Sequence, residues 1–297
     1  MLLTKFTHWD ECSFSDYNTC CELYGFNSES SPRFLEFFLS RGADLKFLSF
    51  RRKGELLGAV CLDRGWLVND HKNPKRQMRG LPIPSYSILP PFKEGVRCIA
   101  PFKTKSLNHL SDNFINSSFS LFSKRKAAYA RNIEDGFSSK TRSTRNREIR
   151  KFSESGGSFL NLSSVASEIL IDSYYKLHAK RWGKLTSPDE ITRDFFTQYH
   201  HDFFGKMAMM NDVPVGFQLL ISTNSKRGFF VDFINIGYDT DIKNHPIGTM
   251  MMWQNLQAAN EQAMKLNSPL YYSYGMMSGE YKGRWCEPRS NGRTLTL

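Results

Sequence analysis

The chain has 297 residues, of which 40% are hydrophobic and 14% aromatic, and it carries a formal charge of +11. That apolar content excludes wholesale disorder, and a prior of about 150 residues per domain suggests two lobes. The excess of cations favours anionic partners such as phosphates, nucleic acid or the inner face of a membrane, but net charge bears on association and not on fold.

Cys12, Cys20, Cys21, Cys61, Cys98 and Cys286 form no C-x-x-C pair, so neither a zinc site nor a disulfide framework is expected, and the usage fits a reducing compartment. The first residues lack the apolar core of a signal peptide, and no stretch reaches the ~18 apolar residues of a membrane span. The expectation is a cytoplasmic protein that could still lie on a membrane surface.

Along the chain, Phe14, Tyr17, Cys21 and Tyr24 recur at helical spacing and predict a helix over 15–24. Ser31-Pro32 opens a second, with Phe34, Leu35, Phe38 and Leu39 on one face and Gly42 as the stop. Apolar patterning around the polar turn 52–55 predicts a β-hairpin over 45–62. Residues 69–101 read as loop, with 96–100 the best strand candidate, and 119–132 as a basic helix. A lobe boundary is placed near 137, before the cation-dense segment 138–151. Beyond it, helices are expected over 165–180 (buried face Ile169, Leu170, Tyr174, Leu177) and 189–204, with strands over 206–210, 213–222 and 229–236. A helix capped by Thr249 then runs to about 266, and a last strand covers 270–274. The stretches 53–58 and 211–216 are alike, each a polar turn entering an apolar strand with glycine near its start, as a duplicated lobe would produce.

Arg142 and Arg145 share a face if this segment is helical, and could grip a phosphorylated substrate, a tRNA acceptor stem or anionic lipid; a solvated interlobe helix is the plainer reading. Asp70, in the polar loop Asn69-Asp70-His71, is a candidate general base. No H-E-x-x-H, P-loop or G-x-S-x-G is present, and no metal is expected.

Tyr238-Asp239, Pro246-Ile247-Gly248, a helix with Ala258-Ala259, Tyr272 to Gly275, and Tyr281-Lys282-Gly283-Arg284-Trp285 follow one another in an order that resembles the C-terminal half of CelD-like and FemAB-like acyltransferases. Residues 141–151 look like the basic stretch that begins that family's second lobe, so the match spans about 138–288. In the first half, Ser13 to Tyr17, the hairpin through Gly58, Asn69 to Lys72, and Pro101 to Lys105 resemble the Mig-fourteen family. That family is linked to bacterial resistance to cationic antimicrobial peptides and is associated with the inner membrane.

The resemblance implies an α/β (α+β) fold of tandem GNAT-like lobes, residues 1–137 and 138–297, with mixed central sheets flanked by helices. It implies an N-acyltransferase acting on an envelope-related or small-molecule amine. Its donor would be an acyl-CoA, or an aminoacyl-tRNA as the one expected nucleic-acid partner. The alternative is a non-catalytic member that binds at a membrane surface. The donor's pyrophosphate would sit on Pro246, Ile247, Gly248 and Thr249, where the helix dipole and unpaired N–H groups attract an anion. Lys282 would lie near the transfer centre, Tyr281 would donate a hydrogen bond or late proton, and Arg284 would clamp phosphate. One departure stands out: Gly248 is alone where such loops hold two or three glycines.

Overall fold

In the computed structural model, residues 8–120, 125–183 and 187–295 are described. Contacts divide the chain into two compact units. The first comprises Met1–Tyr129, Thr223–Phe230 and Ser273–Leu297; the second comprises Ala130–Ser222 and Val231–Tyr272. The first break thus falls a few residues before the boundary expected near 137. The expected second lobe, 138–297, returns two segments to the first unit.

In the first unit, α1 (Phe14–Tyr24) starts at a capping box: the Ser13 hydroxyl accepts from Asp16 N–H, and the Asp16 carboxylate accepts from Ser13 N–H. A buried 3-10 turn, Ser28–Ser30, leads to α2 (Pro32–Ser40), whose proline occupies the first turn where no N–H is missed. Strands β1 (Trp9–Glu11), β2 (Leu45–Arg52), β3 (Glu55–Asp63) and β4 (Trp66–Leu67) form a four-stranded sheet in that order. Trp9, Phe50, Leu57, Val60, Phe92, Phe102, Leu107 and Phe114 pack together in its core. Much of that core comes from chain without regular structure. The strand expected over 96–100 does not form, and Cys98 makes only an isolated bridge to Phe114.

Strand β5 (Ser117–Ser118) precedes β6 (Lys126–Ala130), where a basic helix was expected. Residues 121–124 of that expectation lie outside the described residues. Ala127, Ala128 and Tyr129 are buried, and Tyr129 and Ala127 pair with Ser273 and Met276, so sheet packing overrides the helix preference of alanine.

Next comes α3 (Ser139–Glu154), capped by the Ser138 hydroxyl, then β7 (Gly157–Asn161), α4 (Ser167–Trp182) and α5 (Glu190–Tyr199). On α4 the buried stripe is Leu170, Ile171, Ser173 and Leu177; Ile169, expected inside, is 52% exposed. Helix α5 stops at Tyr199 rather than 204, because Phe203 and Phe204 turn into a short strand, β8, paired to Ile221 and Leu220. Strands β9 (Lys206–Met210), β10 (Val213–Ser225) and β11 (Gly228–Tyr238) lead to α6 (Ile247–Lys265) and β12 (Leu270–Met276), and β13 (Cys286–Ser290) and β14 (Arg293–Thr294) end the chain. Hydrogen-bonded neighbours follow the order β13-β6-β12-β11-β10-β9-β7, with β8 also on β10, while β14 pairs with β5.

The two hairpins that looked alike in sequence match in detail. Each turn places two residues at positive φ, Lys53 and Gly54 in one, Asn211 and Asp212 in the other. Each return strand then bulges by one residue immediately before a glycine: Leu57 before Gly58, and Val215 before Gly216. The carbonyl of each bulged residue accepts a hydrogen bond from later chain, Lys93 N–H at 3.0 Å and Asp239 N–H at 2.8 Å. A Cβ on Gly58 would lie 2.5 Å from the Phe92 ring, and one on Gly216 would lie 2.5 Å from Ile247 Cγ2. Alanine at either position is therefore expected to destabilise the protein by about 1–3 kcal/mol through overpacking. Gly80→Ala, where a Cβ meets nothing within 4 Å, is the control, and urea melts of the three variants check this.

Candidate active site

The start of α6 is built by the second unit. Ile247, Met250 and Met251 are buried against Phe152 of α3, Ala208 of β9 and Val215 of β10. Pro246 is the residue at the cap and offers no side-chain acceptor. The first helical bond runs from Met250 N–H to the Pro246 carbonyl. Thr249 therefore lies inside the first turn rather than capping it. The N–H groups of Gly248 and Thr249 precede the first helical donor and have no acceptor among the described residues. Gly248 lies against Tyr238, the last residue of β11: a Cβ there would meet the Tyr238 ring at 2.9 Å. The preceding loop is pinned at both ends. Lys180 holds Asp239 at 2.7 Å and Asp241 at 3.1 Å. His245 bonds Ser155 at 3.0 Å and packs edge-on to Phe152. Burial raises the Asp239 carboxyl, but the Lys180 ammonium and the Asp241 N–H outweigh it and leave it below the usual carboxylate range.

Arg142 and Arg145 lie on α3, one turn apart. The Arg142 guanidinium donates to the carbonyls of Glu134 and Phe137, at 2.5 and 2.8 Å, and so closes the loop before its own helix. It lines a cavity of about 370 Å3 with Asn146, Trp253, Gln257 and Asn260. Trp253 donates to Asn146 across that cavity and ties α6 to α3. Arg145 is paired with Glu148 at 2.6 Å. The outward cations on this helix are Lys140, Arg147, Arg150 and Lys151.

The remaining expected residues belong to the first unit. Glu280–Arg284 form a 3-10 turn that buries Lys282 and leaves Tyr281 and Arg284 exposed. The Lys282 ammonium donates to the carbonyls of Tyr274 and Met276 at 2.6 and 2.5 Å, bridging the end of β12. Burial pushes its pKa below the ordinary 10.5, against a weaker opposing effect of Cys286. Asp70 is wholly buried. One of its carboxylate oxygens accepts from Lys72 N–H and the Ser106 hydroxyl, the other from the Thr104 hydroxyl and Lys105 N–H. Four bonds occupy the carboxylate, so its evident work is to gather two loops. What it gathers includes His71, whose ring packs on Tyr86 at 4.8 Å, and Tyr86 in turn lies against Gly275 between the two carbonyls that hold Lys282. Tyr86 was not singled out in the sequence, and His71 and Tyr238 entered only as members of the segments Asn69-Asp70-His71 and Tyr238-Asp239, with no role of their own. The neighbouring Asn-Asp dipeptide was the available signal for His71.

No curated protein matches the chain by sequence. The profile of the Mig-14 family matches residues 32–294. The chain belongs to that family. Among solved structures, the crystal structure of FemX is similar over 97% of this chain and 97% of its own, with 10% identity and a TM-score of 0.59. The structure of L-PGS from Bacillus licheniformis is similar over 96% and 92%, with 11% identity and a TM-score of 0.53. These likenesses show the fold alone: this Mig-14 member is mixed α/β, as read from the sequence, with the architecture of FemX and L-PGS. No helix among the described residues is long and apolar enough to cross a membrane.

Lys282 makes stability depend on alkaline pH. Its folded pKa lies below the unfolded one, so the unfolded chain binds more protons between the two, and stability rises with pH in the window below 10.5. Lys282→Met should abolish that rise. It should also lower stability by about 1–3 kcal/mol by leaving two carbonyls without their donor, as denaturant melts at neutral and alkaline pH would show.

Proposed function

We propose that this protein is an N-acyltransferase that joins an acyl or aminoacyl group to an amine of an envelope precursor or small molecule. The observation that supports the reading is the start of α6. Two N–H groups point out of an uncapped helix whose first turn is held on a bulged strand, which suits the phosphates of an activated donor. Pro246, Ile247, Gly248 and Thr249 would hold an acyl-CoA or the acceptor end of an aminoacyl-tRNA. The bound donor supplies the activated carbonyl.

The chain's own groups have the remaining tasks. Lys282 fixes the end of β12, and its ammonium offsets developing negative charge on the reacting oxygen. Tyr281, exposed on the same turn, donates to the leaving group. Arg284 contacts anionic parts of the acceptor. Arg142, already committed to two carbonyls, shapes its cavity instead of serving as a free phosphate clamp. Lys140, Arg147, Arg150 and Lys151 give the protein peripheral contact with anionic lipid, at ~1 kcal/mol per cation near the surface. Modification of envelope amines or addition of aminoacyl cations would alter the charge that attracts cationic antimicrobial peptides, and this is how we connect the fold to peptide resistance.

Thermal melts with coenzyme A, acetyl-CoA and longer acyl-CoAs test the donor. A ligand at 100 times its dissociation constant adds about 2.7 kcal/mol of stability. The wild type should be stabilised, and Gly248→Trp, which obstructs the helix start, should not. A wild type indifferent to every thioester would remove coenzyme A as donor and leave an aminoacyl-tRNA or a non-catalytic binding role.

A further inference from the structure

The face of α6 that turns toward the sheet changes character along its length. Near the start it carries Ile247 and Met251, which are buried against β9 and β10 and fill the space there. About three turns later the same face carries Ala258 and Gln262, a methyl and an amide. Opposite them, Gly205 leads into β9 with φ +113°, and a Cβ there would lie 2.6 Å from the Gln218 carbonyl oxygen, so no larger side chain can stand in its place. The space left open is a cavity of about 310 Å3 that lies wholly within the second unit. Phe204 and Ala258 give it half-buried apolar walls, and Lys206, Glu261 and Lys265 bring charge to it.

Those three charges are uncommitted. None has an ion pair or a side-chain hydrogen bond among the described residues. Glu261 precedes Lys265 by one turn, the order in which a helix pair is favourable, yet the two heads do not meet. Lys206, the first residue of β9, is half-buried, and an ammonium drawn partly out of water gains from a partner.

We infer that this cavity is a binding site for a small phosphorylated amine. Lys206 and Lys265 supply two positive charges, which match a phosphate better than a singly charged carboxylate. Glu261 accepts from the ammonium, and the Gln262 amide can donate or accept beside it. Phe204 and Ala258 face the short methylene chain between the two charged ends. The site is separate from the start of α6, because Glu261 lies about 20 Å farther along the helix than Gly248 at ~1.5 Å per residue. A ligand held here takes no part in transfer at Gly248, and the inference stands whether or not the transferase reading does.

Isothermal titration of the full chain with phosphoethanolamine tests this, with inorganic phosphate and ethanolamine as the two halves of the ligand. Phosphoethanolamine should bind at one site per chain and more tightly than either half. Lys265→Met and Glu261→Gln should each weaken it about ten-fold or more, the loss of one charge-assisted hydrogen bond. Lys226→Met, which removes an exposed cation outside the cavity, should not. Ala258→Leu should fill the cavity and abolish binding; Lys265 and Glu261 are exposed, so their variants keep the test independent of whether Ala258→Leu folds. Glycerophosphoethanolamine identifies the source of the ligand: tighter binding of this diester supports a lipid headgroup, and tighter binding of the monoester supports a free metabolite. A wild type that binds none of these compounds overturns the proposal. So does binding of equal strength in Lys265→Met and Glu261→Gln, or binding of phosphate alone as tight as that of phosphoethanolamine.

Discussion

Irregular backbone can be buried only if each of its N–H and C=O groups finds a partner without the help of a helix or sheet ladder. The first unit depends on meeting that constraint. Between β4 and β5 the chain is largely without regular structure, yet Ile88, Leu89, Phe92, Phe102 and Leu107 lie in the core. Asparagine and serine side chains supply the missing partners. Asn27 donates to the Ser87 carbonyl and accepts from Leu89 N–H. Asn113 donates to the carbonyls of Lys93 and Val96, and Asn116 both accepts from Ala100 N–H and donates to its carbonyl. Asp70 is the charged member of the same scheme. Its placement of His71 follows from gathering backbone at 72 and 105 with hydroxyls at 104 and 106, and Lys282 extends the scheme by filling two carbonyls at the end of β12. The candidate catalytic groups of this unit are thus fixed by the interactions that make its core possible.

The shared hairpin design shows what the two units have done with a common start. In both, a bulge and a glycine let later chain approach the return strand. In the second unit the approaching chain is Tyr238 and then the first turn of α6, which leaves a helix start with open donors. In the first, Phe92 takes the corresponding place, bridging to Gly58, and the chain beyond it continues as loop through Glu94 and Gly95. A phenylalanine ring offers no anion site. The helix-dipole argument for a donor therefore applies to the second unit alone.

Much of this was legible in the sequence wherever a single local rule decided the outcome. The helical spacing of Phe14, Tyr17, Cys21 and Tyr24, the proline at the start of α2 and the polar turn of the hairpin over 45–62 all report local chemistry, and they appear at the expected places. What failed depended on partners far along the chain. Nothing local marks Lys126–Ala130 as a strand, because its pairing with β12 joins residues well over a hundred positions apart. The buried stripe of α4 is offset from the apolar pattern for a similar reason. The site was partly legible: the segments around Gly248, Lys282 and Asp70 could be picked out, but the cavity beside Lys206 and Glu261 could not, since its charged residues lie on separate elements with no characteristic spacing.

The scarcity of glycine in the loop before α6, which counted against donor binding when only the sequence was in view, has a structural answer. Several glycines are needed where a loop must itself make room for an incoming backbone. Here the room is divided between two elements. Gly216 lies on the strand, where a Cβ would strike Ile247 and crowd Met251 and Tyr238, and Gly248 lies on the helix, where a Cβ would strike the Tyr238 ring. The loop between them can then be stiff. Pro246 fixes its last residue, His245 is tied to Ser155, and Asp239 and Asp241 are tied to Lys180. A stiff loop pays little entropy to present the N–H groups of Gly248 and Thr249, whereas a glycine-rich one must be ordered by its ligand. Counting glycines in the loop thus measured flexibility, and the property that bears on anion binding is the unobstructed approach of helix to strand.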